Sequence, residues 1–233
     1  MNLSRYESII VRLRTQLPFK LILTLLLYPV VYGPYQFLQV HHFFPATELL
    51  PGMFDRWIPF DARFTWIYLS IYLLMPIGPV LMKSRGQLYR YAAGILLISV
   101  LADAVFIFRP TFCPRPNSIG TGRFYQLLIA IDNPFHGLPS LHAAFALYAG
   151  LCATKMLRMF DRRIYLIAIT WIWVTLILYS TLATKQHTFL DIAVGSTLGI
   201  AIYFAAFYAR FSLNQKPLPP FVESKPQIIE PIA

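Results

Sequence analysis

Charge is scarce in this sequence. Of its 233 residues only 13% are charged and 57% are hydrophobic, whereas a soluble domain carries about 25% charged residues. That shortage excludes an ordinary soluble globule and points to a membrane protein. Acid is scarcer than base, with 10 Asp and Glu against 20 Lys and Arg. The excess builds no nucleic-acid face, because the basic residues lie between apolar runs and never cluster with interleaved aromatics. Cysteine is nearly absent. Cys113 and Cys152 have no metal-ligand spacing, so neither zinc nor a structural disulfide is expected. No small-residue cleavage site follows the first apolar run, which is too long for a cleaved signal peptide. No internal repeat is visible.

What the chain has in quantity is apolar run. A bilayer-spanning helix needs about 20 mostly apolar residues, and six segments qualify: 17–40, 64–82, 91–108, 141–157, 164–183 and 189–207. The expected fold is therefore all-α, a polytopic bundle of six transmembrane helices. Pro29 and Pro34 in the first span, and Pro76 and Pro79 in the second, predict kinks or an early end; neighbours in a bundle tolerate these. Residues 1–211 form the membrane domain. The tail 212–233, rich in proline, is expected to be disordered.

Lys and Arg orient the spans. One side collects Arg5, Arg12, Arg14 and Lys20, the Lys83–Arg90 group, the Lys155–Arg163 group, and Arg210, Lys216 and Lys225, fourteen of the 20 basic residues. The other side has Arg56, Arg63, Arg109, Arg115, Arg123 and Lys185. Both termini are expected in the cytoplasm, with the loops 41–63, 109–140 and 184–188 facing outward.

Those outer loops hold the chemistry. Pro139-Ser140-Leu141-His142 reads as a helix start with Ser140 as N-cap. Free N–H groups and the helix dipole make such a spot suitable for phosphate, and His142 is an ionisable group entering an apolar helix. Arg115 sits between Pro114 and Pro116, in a stiff frame that suits bidentate phosphate recognition. Arg109 and Lys185 are further outer cations, while Arg56 and Arg63 read as snorkelling to headgroups. His187 and Asp191 are four apart, a spacing that on a helix puts them on one face. The carboxylate there can fix the imidazole tautomer and leave its other nitrogen as base or nucleophile. His142, His187 and Asp191 could by type also bind a metal, but nearby arginines favour an anion. His41 and His42 read as interfacial loop residues, and so does His136, with a third ring at the site as its alternative. Asp132 and Asn133 read as shaping the turn before Pro134, and Asp103 is an intramembrane acid for which the sequence names no partner, an Arg or a hydroxyl across the bundle being the candidates.

The order Arg115-Pro116, Pro139-Ser140-Leu141-His142, then His187 and Asp191 resembles the type 2 phosphatidic acid phosphatase (PAP2) superfamily. That group also holds the vanadium haloperoxidases and the sphingolipid phosphotransferases. The resemblance covers about residues 91–207 and fits the integral membrane branch. There are departures. The family's Lys ahead of Arg-Pro falls at Phe108, its Ser-Arg falls at Ser180-Thr181, and the Gly of Pro-Ser-Gly-His is Leu141. Pro-Ser-Leu-His is closer to the inositol-phosphorylceramide synthase branch, which transfers phospho-headgroups between lipids.

The resemblance implies a mechanism. His187 attacks phosphorus to form a phosphohistidine, Asp191 holds its other nitrogen, and His142 is the acid and then the base. Arg115, Arg109, Lys185, Ser140 and Leu141 at the helix start hold the phosphoryl group, with no metal and no cofactor. The expected substrate is a phospholipid or isoprenoid phosphate reached from the bilayer, and the expected reaction is lipid phosphotransfer. Three alternatives stay open: a lipid phosphate phosphatase, a non-catalytic anionic-lipid binder or transporter, and a vanadate-dependent oxidase.

Overall fold

The computed structural model describes residues 10–115, 122–160 and 164–208. The tail 212–233, with Pro116 and the basic residues Arg5, Arg162, Arg163, Arg210, Lys216 and Lys225, lies outside the described residues.

Long apolar runs become long helices. Helix α1 spans Leu17–Val40 and continues through both Pro29 and Pro34. A short strand β1 (Thr47–Glu48) and helix α2 (Met53–Trp57) follow. The second span, 62–81, is built in pieces: a 3-10 turn over Ala62–Phe64, then α3 (Thr65–Leu69), α4 (Ile71–Leu74) and α5 (Ile77–Leu81). Pro76 immediately precedes α5 and Pro79 lies within it, and a proline cannot donate to the preceding turn. Helix α6 runs over Arg85–Phe108. It starts six residues before the predicted boundary because Ser84 and Gln87 form a capping box: the Gln87 N–H donates to Ser84 Oγ (3.2 Å), and the Gln87 carboxamide oxygen accepts the Ser84 N–H.

Strand β2 (Thr111–Phe112) pairs in parallel with β1, Thr47 opposite Thr111. Helix α7 (Arg123–Ile131) then lies in a stretch that reads as loop from sequence. Helices α8 (Leu141–Phe160), α9 (Ile164–Ala183) and α10 (Phe189–Tyr208) complete the bundle. Among the described residues five elements are long and apolar enough to cross a membrane. The sixth expected span, α8, has the length but carries His142, Lys155 and Arg158. The all-α membrane bundle stands.

The bundle is built around α8. Ala143, Ala144, Ala146, Tyr148, Ala149, Cys152 and Ala153 are all fully buried, and α8 packs against α4, α5, α6, α9 and α10. Small side chains permit this. A Cβ on Gly195 of α10 would overlap the Ser140 carbonyl, and one on Gly199 would overlap that of Ala144. Helix α10 therefore rides on the backbone of α8 and its entry, which sets the spacing between their first turns.

The basic residues sort by bundle end. At one end Lys20 Nζ donates to the Arg12 and Val80 carbonyls, Arg85 reaches Gln16, and Lys155 lies over Phe207 and Tyr208. Arg56, Arg115 and Lys185 gather at the other.

Candidate active site

Two helix starts meet where α8 and α10 cross. At α8, Ser140 Oγ accepts the Ala143 N–H (3.2 Å), the cap its position predicts, and the Ser140 N–H donates to the Asp191 carbonyl (3.2 Å). At α10, Thr188 and Asp191 cap reciprocally. The Thr188 N–H donates to Asp191 Oδ2 (2.8 Å), and Thr188 Oγ1 receives the Asp191 N–H (3.4 Å). A second carboxylate joins from α2: Asp55 accepts the Phe189 N–H (2.7 Å) and the Gly52 N–H (2.7 Å).

His187 precedes α10 rather than sharing a helical face with Asp191. It lies in the turn after α9, where the Thr181 carbonyl accepts the Gln186 N–H (3.0 Å) and the His187 N–H (3.4 Å). This turn contains Lys185 at φ 55°. The turn nevertheless brings His187 Nδ1 to 3.6 Å from Asp191 Oδ2, with the carboxylate fully buried. Neither Nδ1 nor Asp191 Oδ1 has a hydrogen bond. Catalytic hydrogen bonds are often long without substrate, and a small rotation of either group would pair them. Cys113 adds to the same carboxylate, its Sγ 3.2 Å from Oδ2. Burial pushes that thiol well above its usual range, with the Asp191 charge adding to the effect, so Cys113 is held protonated as a donor.

A cleft of about 470 Å³ opens over this corner, with Arg56, Cys113, Arg115, Lys185, His187 and Thr188 on its walls. Its opposite wall is the 49–60 segment, held by the Asp55 cap. The Arg115 guanidinium is fixed from behind. It donates to the carbonyls of Asp132 and Asn133 and lies 3.6 Å from the Asp132 carboxylate, while Nε stays unpaired. Lys185 also faces the cleft, but its Nζ donates to the Asp55 and Ile58 carbonyls. Burial lowers its pKa, with Asp55 working the other way. Lys185 thus ties the wall down as much as it offers charge.

The remaining predicted residues lie elsewhere. His142 is stacked on Tyr68, ring centroids 3.8 Å apart at 17°. Its Nε2 is buried without a hydrogen bond. His142 and Ser140 stand behind the lining of the cleft, and the Leu141 side chain packs into the core. Arg109 caps the end of α6, exposed and away from the cleft. The geometry does not bring it to a phosphate there, because the chain turns into β2 directly after it. The departures from the family pattern are also real in space. Phe108 is 67% exposed, and Thr181 is buried with its hydroxyl on the Leu178 carbonyl. Neither position places a cation in the cleft.

Two residues exceed their reading from sequence. Arg56, read as a headgroup anchor, lines the cleft. Asp132, read as a turn residue, accepts from Tyr35 OH (3.0 Å), Gln39 Nε2 (2.8 Å) and Tyr68 OH (3.3 Å). Only contacts across the fold reveal this, so no local signal could. Asp103, for which the sequence names no partner, has Oδ1 buried without a hydrogen bond. Among the described residues no group of three or more His, Cys, Asp or Glu could hold a metal.

The geometry can hold an anion against Arg115 beside an imidazole backed by a carboxylate, the arrangement phosphoester chemistry needs. Comparison with curated proteins and with solved structures returned no match. The family model of the PAP2 superfamily matches residues 86–215, more than half the chain, and this superfamily is one of phosphatase-type phosphoester chemistry. The chain, an integral membrane helical bundle, belongs to the PAP2 superfamily.

Proposed function

We propose that this protein transfers a phosphoryl group or phospho-headgroup from a lipid phosphoester through a phosphohistidine on His187. The observation that carries the reading is the His187–Asp191 pair, 3.6 Å apart, opening onto the cleft that Arg115 lines. With Nδ1 turned toward Asp191, Nε2 is the nitrogen left to attack. Nε2 forms the N–P bond as the P–O bond to the leaving alcohol breaks, and His142, turning out from its stack on Tyr68 to reach the cleft, gives that oxygen its proton. Arg115 holds the developing negative charge. In the second half an acceptor O–H attacks phosphorus, His142 takes its proton back, and the N–P bond breaks. Asp191 stabilises the imidazolium that appears between the steps.

Transfer to a lipid alcohol is preferred over hydrolysis on charge grounds. A terminal phosphate is doubly charged and calls for more cations than a phosphodiester. With Arg109 outside the cleft, Lys185 tied to carbonyls, and Phe108 and Thr181 at the family's cationic positions, the cleft offers a bound anion Arg115 and Arg56 and lacks the family's other two cations. The site is assigned to the extracytoplasmic side with both termini in the cytoplasm, because the sparsely basic end of the bundle carries the cleft.

The test is turnover by purified protein on phosphatidate, an isoprenyl phosphate, and a phosphodiester lipid with a lipid alcohol. Headgroup exchange from the diester is expected. Fast phosphate release from the monoesters without exchange would leave a phosphatase. Arg115→Ala should weaken anion binding and rate together, and chelators should have no effect. Turnover unchanged in Arg115→Ala would favour neither reaction at this cleft.

A further inference from the structure

Resting on that reading, we infer that Asp132 sets the charge preference of the site: it tempers Arg115 so that singly charged phosphodiesters are accepted ahead of doubly charged phosphomonoesters. The described hydrogen-bond and ion-pair partners of this carboxylate are all donors. Tyr35 and Gln39 reach it from α1, Tyr68 from α3, and Arg115 Nη2 stands 3.6 Å from Oδ2. The Asp132 side chain is 17% exposed and that of Arg115 13%, so solvent screens the pair only in part. Three hydrogen bonds fix where the negative charge sits, and Arg115 is the cation that both it and the cleft share.

The consequence follows from charge. A carboxylate behind the anion-binding guanidinium repels any anion bound in front of it. That repulsion is proportional to the ligand's charge, so a dianion loses twice what a monoanion loses. At about 10 Å and an effective dielectric of about 20 the difference is about tenfold in affinity. The donors to Asp132 come from residues 35, 39 and 68, all before the family-matched region. The carboxylate and Arg115 thus lie within the matched region, while the groups that hold the carboxylate in place come from outside it. A carboxylate that only steadied Arg115 would leave monoester and diester equally affected by its loss.

The experiment measures binding of benzylphosphonate and of its monomethyl ester to the detergent-solubilised full chain by calorimetry at mildly alkaline pH. There the first is doubly and the second singly charged, and neither can be hydrolysed. Asp132→Asn, which keeps the shape and removes the charge, should improve the dianion-to-monoanion affinity ratio about tenfold. Asn133→Asp, an exposed change beside Arg115, should move the ratio the other way about twofold, and decides the matter alone if Asp132→Asn does not fold. Unchanged ratios, or equal weakening of both ligands in Asp132→Asn, would overturn the inference. Arg115→Ala separates this from the underlying reading. If it leaves both affinities intact, the anion site at Arg115 is wrong; if it weakens both while the Asp132 ratio stays fixed, only the inference falls.

Discussion

Single residues show where sequence reading reached and where it stopped. Ser140 was legible as a cap because capping is local, and His187 with Asp191 because a spacing of four is. The helical geometry assumed for that pair was not the one used; a turn closed by the Thr181 carbonyl makes the contact instead. His136 defeated local reasoning altogether. Expected at the interface, it is 2% exposed and stacked on Phe106 with ring centroids 4.6 Å apart. Burial lowers its pKa to about 4 from 6.5. A depressed pKa means that the buried neutral ring stabilises the fold above the unfolded value. That contribution is lost as pH falls from 6.5 through about 4, and reaches roughly 3 kcal/mol below both values. Thermal melts of His136→Gln should therefore lose less stability than wild type across this window. Parallel losses would show that the ring does not titrate there.

Elements were legible in proportion to their apolar length. The spans 17–40 and 164–183 match α1 and α9 to the residue, because hydrocarbon forces every backbone group into an internal bond. Helix α7 and the β1–β2 pair were not legible, since they are short and lie among loop residues where tertiary contacts decide. The close fit of α10 on α8 gives a prediction at this scale. Gly195→Val must push Ser140 away, costing about 1–3 kcal/mol by overpacking and separating the first turns that carry His142 and Asp191. Its melting temperature and its turnover should both fall, and wild-type turnover would show that the spacing is not critical. Asp55→Ala should cost about 0.5–2 kcal/mol through the lost cap on α10. It should also free the 49–60 wall, raising KM more than it lowers kcat; a pure kcat effect would contradict that role.

At the scale of the whole molecule the bundle has two unlike ends, one richly basic and one holding the cleft. The asymmetry was readable because the positive-inside rule acts on loops without regard to fold; the shape of the cleft was not, since its far wall comes from a segment between spans. Cysteines introduced at Arg63 and at Lys83 test the orientation. An impermeant thiol reagent on intact cells should label position 63 and spare position 83, and the reverse pattern would put the cleft in the cytoplasm. What unites bundle, cleft and residue pair is the covalent intermediate. The purified protein would be mixed with a phosphodiester lipid labelled in its phosphate, quenched in alkali, in which phosphohistidine survives, and its peptides mapped. The account predicts label on the peptide containing His187, released by a lipid alcohol and absent from His187→Ala together with turnover. Turnover that persists in His187→Ala, or label that settles on another residue, would contradict it.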